Sequence, residues 1–315
     1  MPERLGPARE KPLFARLAVL GFGLIGSSIA RAARHLNLAE TIVAVDRSPA
    51  VLERVRDLDL ADQTTAEPVE GVRDADHVIF CVPVGAYAEM TRQISDALAP
   101  GAILSDVGSV KSAVLAQVQP LLPKTVHFVP AHPVAGTEHS GPDAGFAALF
   151  HNRWCILTPP EGTDAAAVAR VRAFWEAMGS NVEVMSAAHH DLVLAITSHV
   201  PHLIAFNIVG TAADLETVTQ SEVIKFSAGG FRDFTRIAAS DPTMWRDVFL
   251  HNKDAVLEML GRFNEDLAAL ARAIRWSDGD ALFDLFSRTR AIRRGIISSG
   301  QETPEPDFGR RRDPQ

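Results

Sequence analysis

The stretch Leu17-Ala18-Val19-Leu20-Gly21-Phe22-Gly23-Leu24-Ile25-Gly26-Ser27 constrains this chain more than any other. Its apolar run reads as a buried strand, breaks at a GxGxxG pattern, and resumes as the helix former Ser28-Ile29-Ala30-Arg31-Ala32-Ala33. In a strand–turn–helix setting the three glycines have separate tasks. Gly21 allows the tight turn, Gly23 lets the backbone approach a pyrophosphate, and Gly26 lets the helix pack closely on the sheet. The free amides at Leu24 and Ile25, at the helix start, receive the negative charge. The next apolar run, Thr41-Ile42-Val43-Ala44-Val45, ends on Asp46, about 25 residues after Gly21. A carboxylate there can accept from both ribose hydroxyls of an adenine nucleotide. Arg47 follows it directly and partly offsets its charge. The plainer alternative is a βαβ unit with a glycine-rich turn and a capping Asp; dinucleotide binding is the expectation.

The 315 residues are enough for two domains with sizeable cores. A formal net charge of -8 gives no reason to expect nucleic acid or an anionic membrane as partner. Both cysteines, Cys81 and Cys155, lie in apolar stretches, so buried thiols are expected rather than a disulfide. The opening residues carry no apolar signal-peptide core, and no later run of 18 apolar residues escapes interruption by charge or His. A cytoplasmic protein without a membrane span is the expectation.

From residue 16 to about 160, short apolar runs alternate with helical patterns, as a parallel sheet with crossover helices requires. Ser48-Pro49 opens a helix, with Ser as cap and Pro in the first turn. A weak strand is read near 60–63, and others at 77–82 (ended by Pro83), 101–108 and 125–130. The runs at 154–158 and 182–185 are expected to complete the same sheet. After Ser186 nearly everything reads as helix. Pro201 falls inside the first of these helices and is expected to kink or break it. Asp241-Pro242 caps another, followed by a very long helical pattern toward Ile274, bent at Gly261 or packed whole across a subunit interface. A last amphipathic helix is read at 280–297. The expected fold class is therefore α/β, a Rossmann-like dinucleotide-binding domain at 16–185 followed by an all-helical dimerisation and substrate domain at 186–300. The Pro-rich, charged tail at 301–315 is expected to be disordered.

Ligands of open parallel sheets lie beyond the carboxyl ends of the strands, and three stretches fall there. Cys81-Val82-Pro83-Val84 is expected to flank the reactive end of the dinucleotide. Ser109, within Ser105-Asp106-Val107-Gly108-Ser109-Val110-Lys111, is either an active-site residue or the cap of the next helix. His132 sits on an expected strand-exit loop, where a neutral imidazole can take a hydroxyl proton while hydride leaves the attached carbon. The alternative for it is a loop His bonded to backbone. Glu138 could orient another side chain or guard the entrance. His189, His190, Asp191, His199 and His202 form a second cluster, open to substrate contact, zinc or a structural role. No HExxH or Cys pair supports zinc, so no metal is expected. Arg232 and Arg236, four apart behind Gly229-Gly230, could clamp a carboxylate or form a solvated charge pair.

These motifs together resemble one family, the prephenate/arogenate (cyclohexadienyl) dehydrogenases of tyrosine biosynthesis. The resemblance runs through 21–27, Asp106-Val107-Gly108-Ser109-Val110-Lys111, His132-Pro133-Val134-Ala135-Gly136-Thr137-Glu138, Ser198-His199-Val200-Pro201-His202, 229–238 and 241–245. Val200 stands where the family usually has Leu. The resemblance implies NAD held by Gly21, Gly23, Leu24, Ile25, Gly26, Asp46, Arg47, Val82 and Pro83. It implies His132 as the catalytic residue with Ser109 beside it, Arg236 as anchor for a ring carboxylate, and Arg232 as a neighbour of the substrate side chain. His199 and His202 would line the pocket, and Glu138 would belong to its gate. Trp245 would reach into the neighbouring subunit's site, which implies a homodimer. The implied reaction is NAD-dependent oxidative decarboxylation of prephenate to 4-hydroxyphenylpyruvate, with arogenate as a second or preferred substrate. None of His199, His202 and Arg232 is an acid that would demand arogenate's ammonium group, which favours prephenate. Another two-domain dehydrogenase, acting on a β-hydroxy acid or reducing an imine, is an alternative that would lack the His132 to Glu138 motif together with Arg236, and a nucleotide-sensing binding protein would keep Gly21 to Gly26 without turnover.

Overall fold

The computed structural model describes residues 6–137, 139–219 and 228–298. Strands β1 (Phe14–Leu20), β2 (Ala39–Val45), β3 (Gln63–Thr65), β4 (His77–Phe80), β5 (Ile103–Asp106) and β6 (His127–Phe128) form one parallel sheet in the order β3-β2-β1-β4-β5-β6. Side chains alternate across a strand, so β1 feeds two cores. Leu17 and Val19 pack with Ile29, Leu36, Phe174 and Trp175, whereas Ala18 and Leu20 pack with Val78, Phe80 and Tyr87 on the other face. Burial on both faces explains why the strands read as continuous apolar runs. Each large side chain so buried contributes about 1.5–3 kcal/mol.

Helix α1 (Leu24–Leu36) follows β1 and stops at Asn37, whose φ of 54° turns its amide back onto Ala33 and Arg34. Helix α2 (Pro49–Asp57) is capped by Ser48, as its sequence requires. Helices α3 (Pro68–Val72), α4 (Tyr87–Ile94) and α5 (Ser112–Val118) complete the crossovers. The structure starts α5 at Ser112, not Ser109, and leaves Ser109 on the loop after β5.

The later strands do not extend this sheet. β7 (Ala131–Pro133), β8 (Trp154–Leu157) and β9 (Asn181–Val184) make a separate sheet in which β7 runs antiparallel to β8. The physical reason is proline. Pro130 and Pro133 lack the amide donors that a continued β6 ladder would need. His132 therefore lies on a short strand opposite Ile156 rather than on an exit loop. Helix α6 (Ala165–Ala177) links β8 to β9.

Beyond β9 the described chain is helical. Helix α7 (Ala187–Leu194) passes through one π turn (Ala195–His199) into α8 (Val200–Thr219). Pro201 thus does not break the helix; the widened turn just before it accommodates the missing donor and the ring. Helix α9 (Gly229–Thr235) leads through a 3-10 turn (Arg236–Ala239) to α10 (Pro242–His251), capped by Asp241. The long pattern that follows divides at Asn252 into α10 and α11 (Lys253–Arg275), and Gly261 sits inside α11. Helix α12 (Gly279–Ser298) ends the described chain; the tail at 301–315 lies outside it.

The chain divides into two compact units, Met1–Met259 and Leu260–Gln315. The helical run Ala187–Leu215, with a mean hydropathy of 1.7, is long and apolar enough to cross a membrane by length and composition. Its buried His190, Asp191 and His199 are bonded within the first unit, as in a helix anchored to a protein core.

Gly26 and Gly23 should differ in their sensitivity to alanine. A Cβ at Gly26 would collide with the Gly21 carbonyl, whereas at Gly23 it would meet nothing within 4 Å. Gly26→Ala is expected to lower stability by about 1–3 kcal/mol, and Gly23→Ala by well under 1 kcal/mol. Urea titration of both variants checks this; equal losses would refute the close-approach account.

Candidate active site

The glycine loop is built for a ligand. Gly21 has φ +102°, and a side chain there would press on the Cys81 carbonyl oxygen at 2.7 Å. Gly23 caps α1 without a side-chain hydrogen bond to the first amides of the helix, at Leu24 and Ile25, and a Cβ built on it would meet nothing within 4 Å. The Leu24 side chain packs into the core behind them. Asp46 is oriented at both oxygens, accepting from Phe22 N at 3.0 Å and Ser48 N at 2.9 Å. Arg47 beside it is exposed. Val82 and Pro83 lie on the loop leaving β4, and Gly85 on the same loop is pressed against Asp247 of α10, where a Cβ would meet Oδ2 at 2.8 Å.

The second half of the site lies where β5, β7 and α7 meet. Lys111 is fully buried; its Nζ donates to Asp106 Oδ2 at 2.5 Å and to the Ala131 carbonyl at 2.7 Å. Asp106 also accepts from Gly108 N at 2.8 Å and Ala131 N at 3.3 Å. The ion pair thus ties the end of β5 to the strand that carries His132. Asp191 reaches across from α7 and accepts from Lys111 N and Ser112 N, both at 2.8 Å. It caps α5 from 80 residues away, a task that the sequence offers to Ser109. His190 Nδ1 lies 2.8 Å from Asp191 Oδ1, and His190 Nε2 lies 2.8 Å from His132 Nδ1. His132 is 7% exposed.

A third group borders these. Asn252 Nδ2 donates to the Asp191 carbonyl at 2.9 Å and meets His199 Nδ1 at 3.1 Å. The Ser109 backbone lies beside the His199 ring, whose Nε2 is buried with no hydrogen-bond partner. His202 donates through Nδ1 to Ser198 O at 2.8 Å, and its ring stacks on Trp245 at 3.7 Å and 23°. Trp245 is therefore buried against a histidine of its own chain. Arg236 opens the turn after α9, close enough to disfavour a proton on His202, while Arg232 is exposed on α9. His189 is exposed and outside the cluster, and Glu138 lies outside the described residues.

Electrostatics favour neutral imidazoles here. Burial, reinforced by His190, Lys111 and His199, pushes His132 well below the usual histidine value. Burial lowers His190 as well, with Asp191 opposing it. His199 falls to about 4, chiefly through burial. Burial would raise Asp191, but hydrogen bonds from His190, Ser112 and Lys111 outweigh it and hold the carboxyl below its ordinary value. Burial depresses Lys111, against the pull of Asp106. The sequence singled out His132, His190 and Asp191, but it held no signal for Asn252. Lys111 was visible only as a motif letter.

A parallel sheet with a glycine cradle at one strand end and a neutral, buried histidine at another defines a class: a dinucleotide-dependent dehydrogenase with an α/β half and a helical half. Residues 29–184 match the family profile "Prephenate dehydrogenase, nucleotide-binding domain", and residues 186–288 match "Prephenate dehydrogenase, dimerization domain". The chain is 43% identical over 284 residues to a cyclohexadienyl dehydrogenase of Zymomonas mobilis, covering 90% of this chain and 97% of that one. Among solved structures, prephenate dehydrogenase from Aquifex aeolicus in complex with hydroxyphenyl propionate and NAD+ superposes with a TM-score of 0.84 at 33% identity, covering 90% of this chain and 98% of that one. Synechocystis arogenate dehydrogenase gives 0.74 at 26%, covering 89% and 99%. The chain belongs to the prephenate dehydrogenase family.

The buried neutral histidines make stability depend on pH. His77, lowered to about 3 by burial, joins His132, His190, His199 and His202 in binding protons more weakly in the folded chain than in the unfolded one. Below about pH 6.5 the unfolded chain therefore takes up more protons, and stability falls as pH drops toward 4, by up to about 1.4 kcal/mol per pH unit for each histidine. Urea midpoints at pH 7.5, 6.5, 5.5 and 4.5 should decline along that series. A flat series would contradict the neutral-cluster reading.

Proposed function

We propose that this chain oxidises and decarboxylates prephenate to 4-hydroxyphenylpyruvate with NAD, and accepts arogenate as a second substrate. The observation that carries this reading is a buried, neutral His132 held through Nδ1, with Nε2 as the nitrogen left for a ligand. The dinucleotide fits the cradle: the space over Gly23 is open, the amides at Leu24 and Ile25 suit a pyrophosphate, and Asp46 suits ribose hydroxyls. Arg47, Val82 and Pro83 would border it. When bound, NAD supplies a hydride acceptor.

His132 Nε2 takes the proton of the ring hydroxyl as that carbon is oxidised. The developing carbonyl then draws the electron pair released when the ring carboxylate leaves as CO2. Aromatisation returns that pair to the oxygen, and His132 hands the proton back, so no net proton is released. Ser109 is proposed to bond the same hydroxyl, from the loop after β5. Arg236 is proposed to orient the ring carboxylate, with His202 and Trp245 as a wall and Arg232 nearer the side chain. No acid among these calls for an ammonium group, which supports prephenate as the better substrate. The proposed division into a nucleotide domain at 16–185 and a substrate and dimerisation domain at 186–300 is supported by two family matches that meet there.

A homodimer through the helical domain is proposed on two grounds, the dimerization-domain match and unpaired apolar surface. Leu250 and Leu257 are exposed in the first compact unit, and Trp276 (78%) and Phe283 (71%) in the second. Light scattering is expected to give about twice the 34.0 kDa chain mass; a fully active monomer would defeat the proposal.

Following the nicotinamide absorbance with prephenate and arogenate, each with NAD and NADP, tests the reaction itself. The highest kcat/KM is expected for prephenate with NAD, because Asp46 repels a 2'-phosphate. Equal efficiency with NADP would remove the Asp46 argument, a tenfold preference for arogenate would reverse the substrate order, and turnover of neither compound would refute the function. In His132→Asn, kcat should fall about 10²–10⁴-fold with nucleotide affinity nearly unchanged.

A further inference from the structure

We propose that His190 and Asp191 complete a three-member proton relay behind His132, with His190 taking the positive charge that His132 would otherwise keep. This rests on the reading of His132 as proton acceptor and adds positioning residues that determine which of its nitrogens accepts.

The order of protons follows from the acceptor end. Asp191 accepts two backbone amides, from Lys111 and Ser112, both at 2.8 Å, so it is held as a carboxylate. Its contact with His190 Nδ1 at 2.8 Å then requires the proton on that nitrogen. A neutral imidazole has one N–H, so His190 Nε2 is bare. The 2.8 Å contact between His190 Nε2 and His132 Nδ1 therefore requires the proton on His132 Nδ1. His132 Nε2 is left bare, the state a proton acceptor needs. Each tautomer dictates the next, and the sequence starts at two peptide amides of α5.

The same chain has a use during reaction. Charged and titratable groups face His132 from every side: Asp106 and Lys111 from β5 and the start of α5, Cys155 from β8, His190 and Asp191 from α7, and His199 from the π turn. Asp106 is already engaged by Lys111, so a cation on His132 has no carboxylate of its own in contact. When Nε2 gains a proton, the Nδ1 proton can cross to His190 Nε2. His132 is then neutral with its tautomer exchanged, and the cation rests on His190 against Asp191. When the aromatised oxygen reclaims its proton from Nε2, the Nδ1 proton returns. One proton enters and one leaves each ring, so the balance closes without a further acid or base.

Two measurements test the relay. In the full-length parent protein with 15N-labelled histidine and no ligand, ring 15N shifts should identify His132 and His190 as Nδ1–H tautomers near pH 7.5. An Nε2–H tautomer on either ring overturns the proposal whether or not the enzyme turns over prephenate. The second uses His190→Gln, whose amide oxygen can still accept from His132 Nδ1 but cannot take a proton. With prephenate and NAD, kcat should fall about 10- to 100-fold while both KM values stay within about threefold. The acid limb of kcat/KM should move about one unit to lower pH, because the His132 cation has lost its outlet. An unchanged kcat, or a lower kcat with an unmoved acid limb, would reduce His190 to a structural spacer and overturn the relay. If the parent oxidised neither prephenate nor arogenate, the function would fail, while the tautomers would still decide the order of protons.

Discussion

The structure depends on the Asp191 carboxylate. It sits on a helix of the C-terminal half, yet its oxygens cap a helix of the nucleotide half through Lys111 N and Ser112 N and receive His190. Its own carbonyl accepts from Asn252, which reaches on to His199. A charged acceptor with this many donors is worth about 1.5–3 kcal/mol per bond, and stripping a buried ion of its partners costs about 3–5 kcal/mol. One side chain therefore fixes the approach of α7 to the sheet, the start of α5 and, through His190, the orientation of the His132 imidazole. Position, fold and proton order are set by the same atom group.

The Lys111–Asp106 pair has a different effect. A fully buried ion pair adds little net stability over apolar packing, because desolvation offsets attraction. What it does here is geometric and electrostatic. Lys111 spans from the end of β5 to the Ala131 carbonyl, one residue before His132, which ties β7 to the parallel sheet. Its positive charge also disfavours a proton on His132, which keeps that ring neutral. The depressed basicity that results is what a relay to His190 and Asp191 would counter.

The helical half looks apolar for two reasons. Part of that surface is drawn onto the sheet by Trp245, Val248 and their neighbours. The rest stays exposed, which is why Ala187–Leu215 has the length and hydropathy of a membrane span while carrying the buried His190, Asp191 and His199. A second copy of the chain would satisfy that surface and leave these polar residues in the site.

Local signals determined what local physics governs. The helix start at Gly23, the caps at Ser48 and Asp241 and the change of period near Ser186 depend on neighbours within a few residues, and the sequence alone specified them. It also held the residues of the family motifs in order. Tertiary structure decided the rest because the partners lie far apart in the chain. Prolines at 130 and 133 moved His132 onto a second sheet, a judgement that needs β8 in place. Asp191, and not Ser109, capped α5, because a carboxylate 80 residues on outcompetes a local hydroxyl once the halves are packed. Asn252 joined the cluster with no local signature at all. Which nitrogen of His132 is engaged inside the protein is likewise absent from the sequence: it follows from one 2.8 Å contact with His190, which only the packing of α7 on β7 creates.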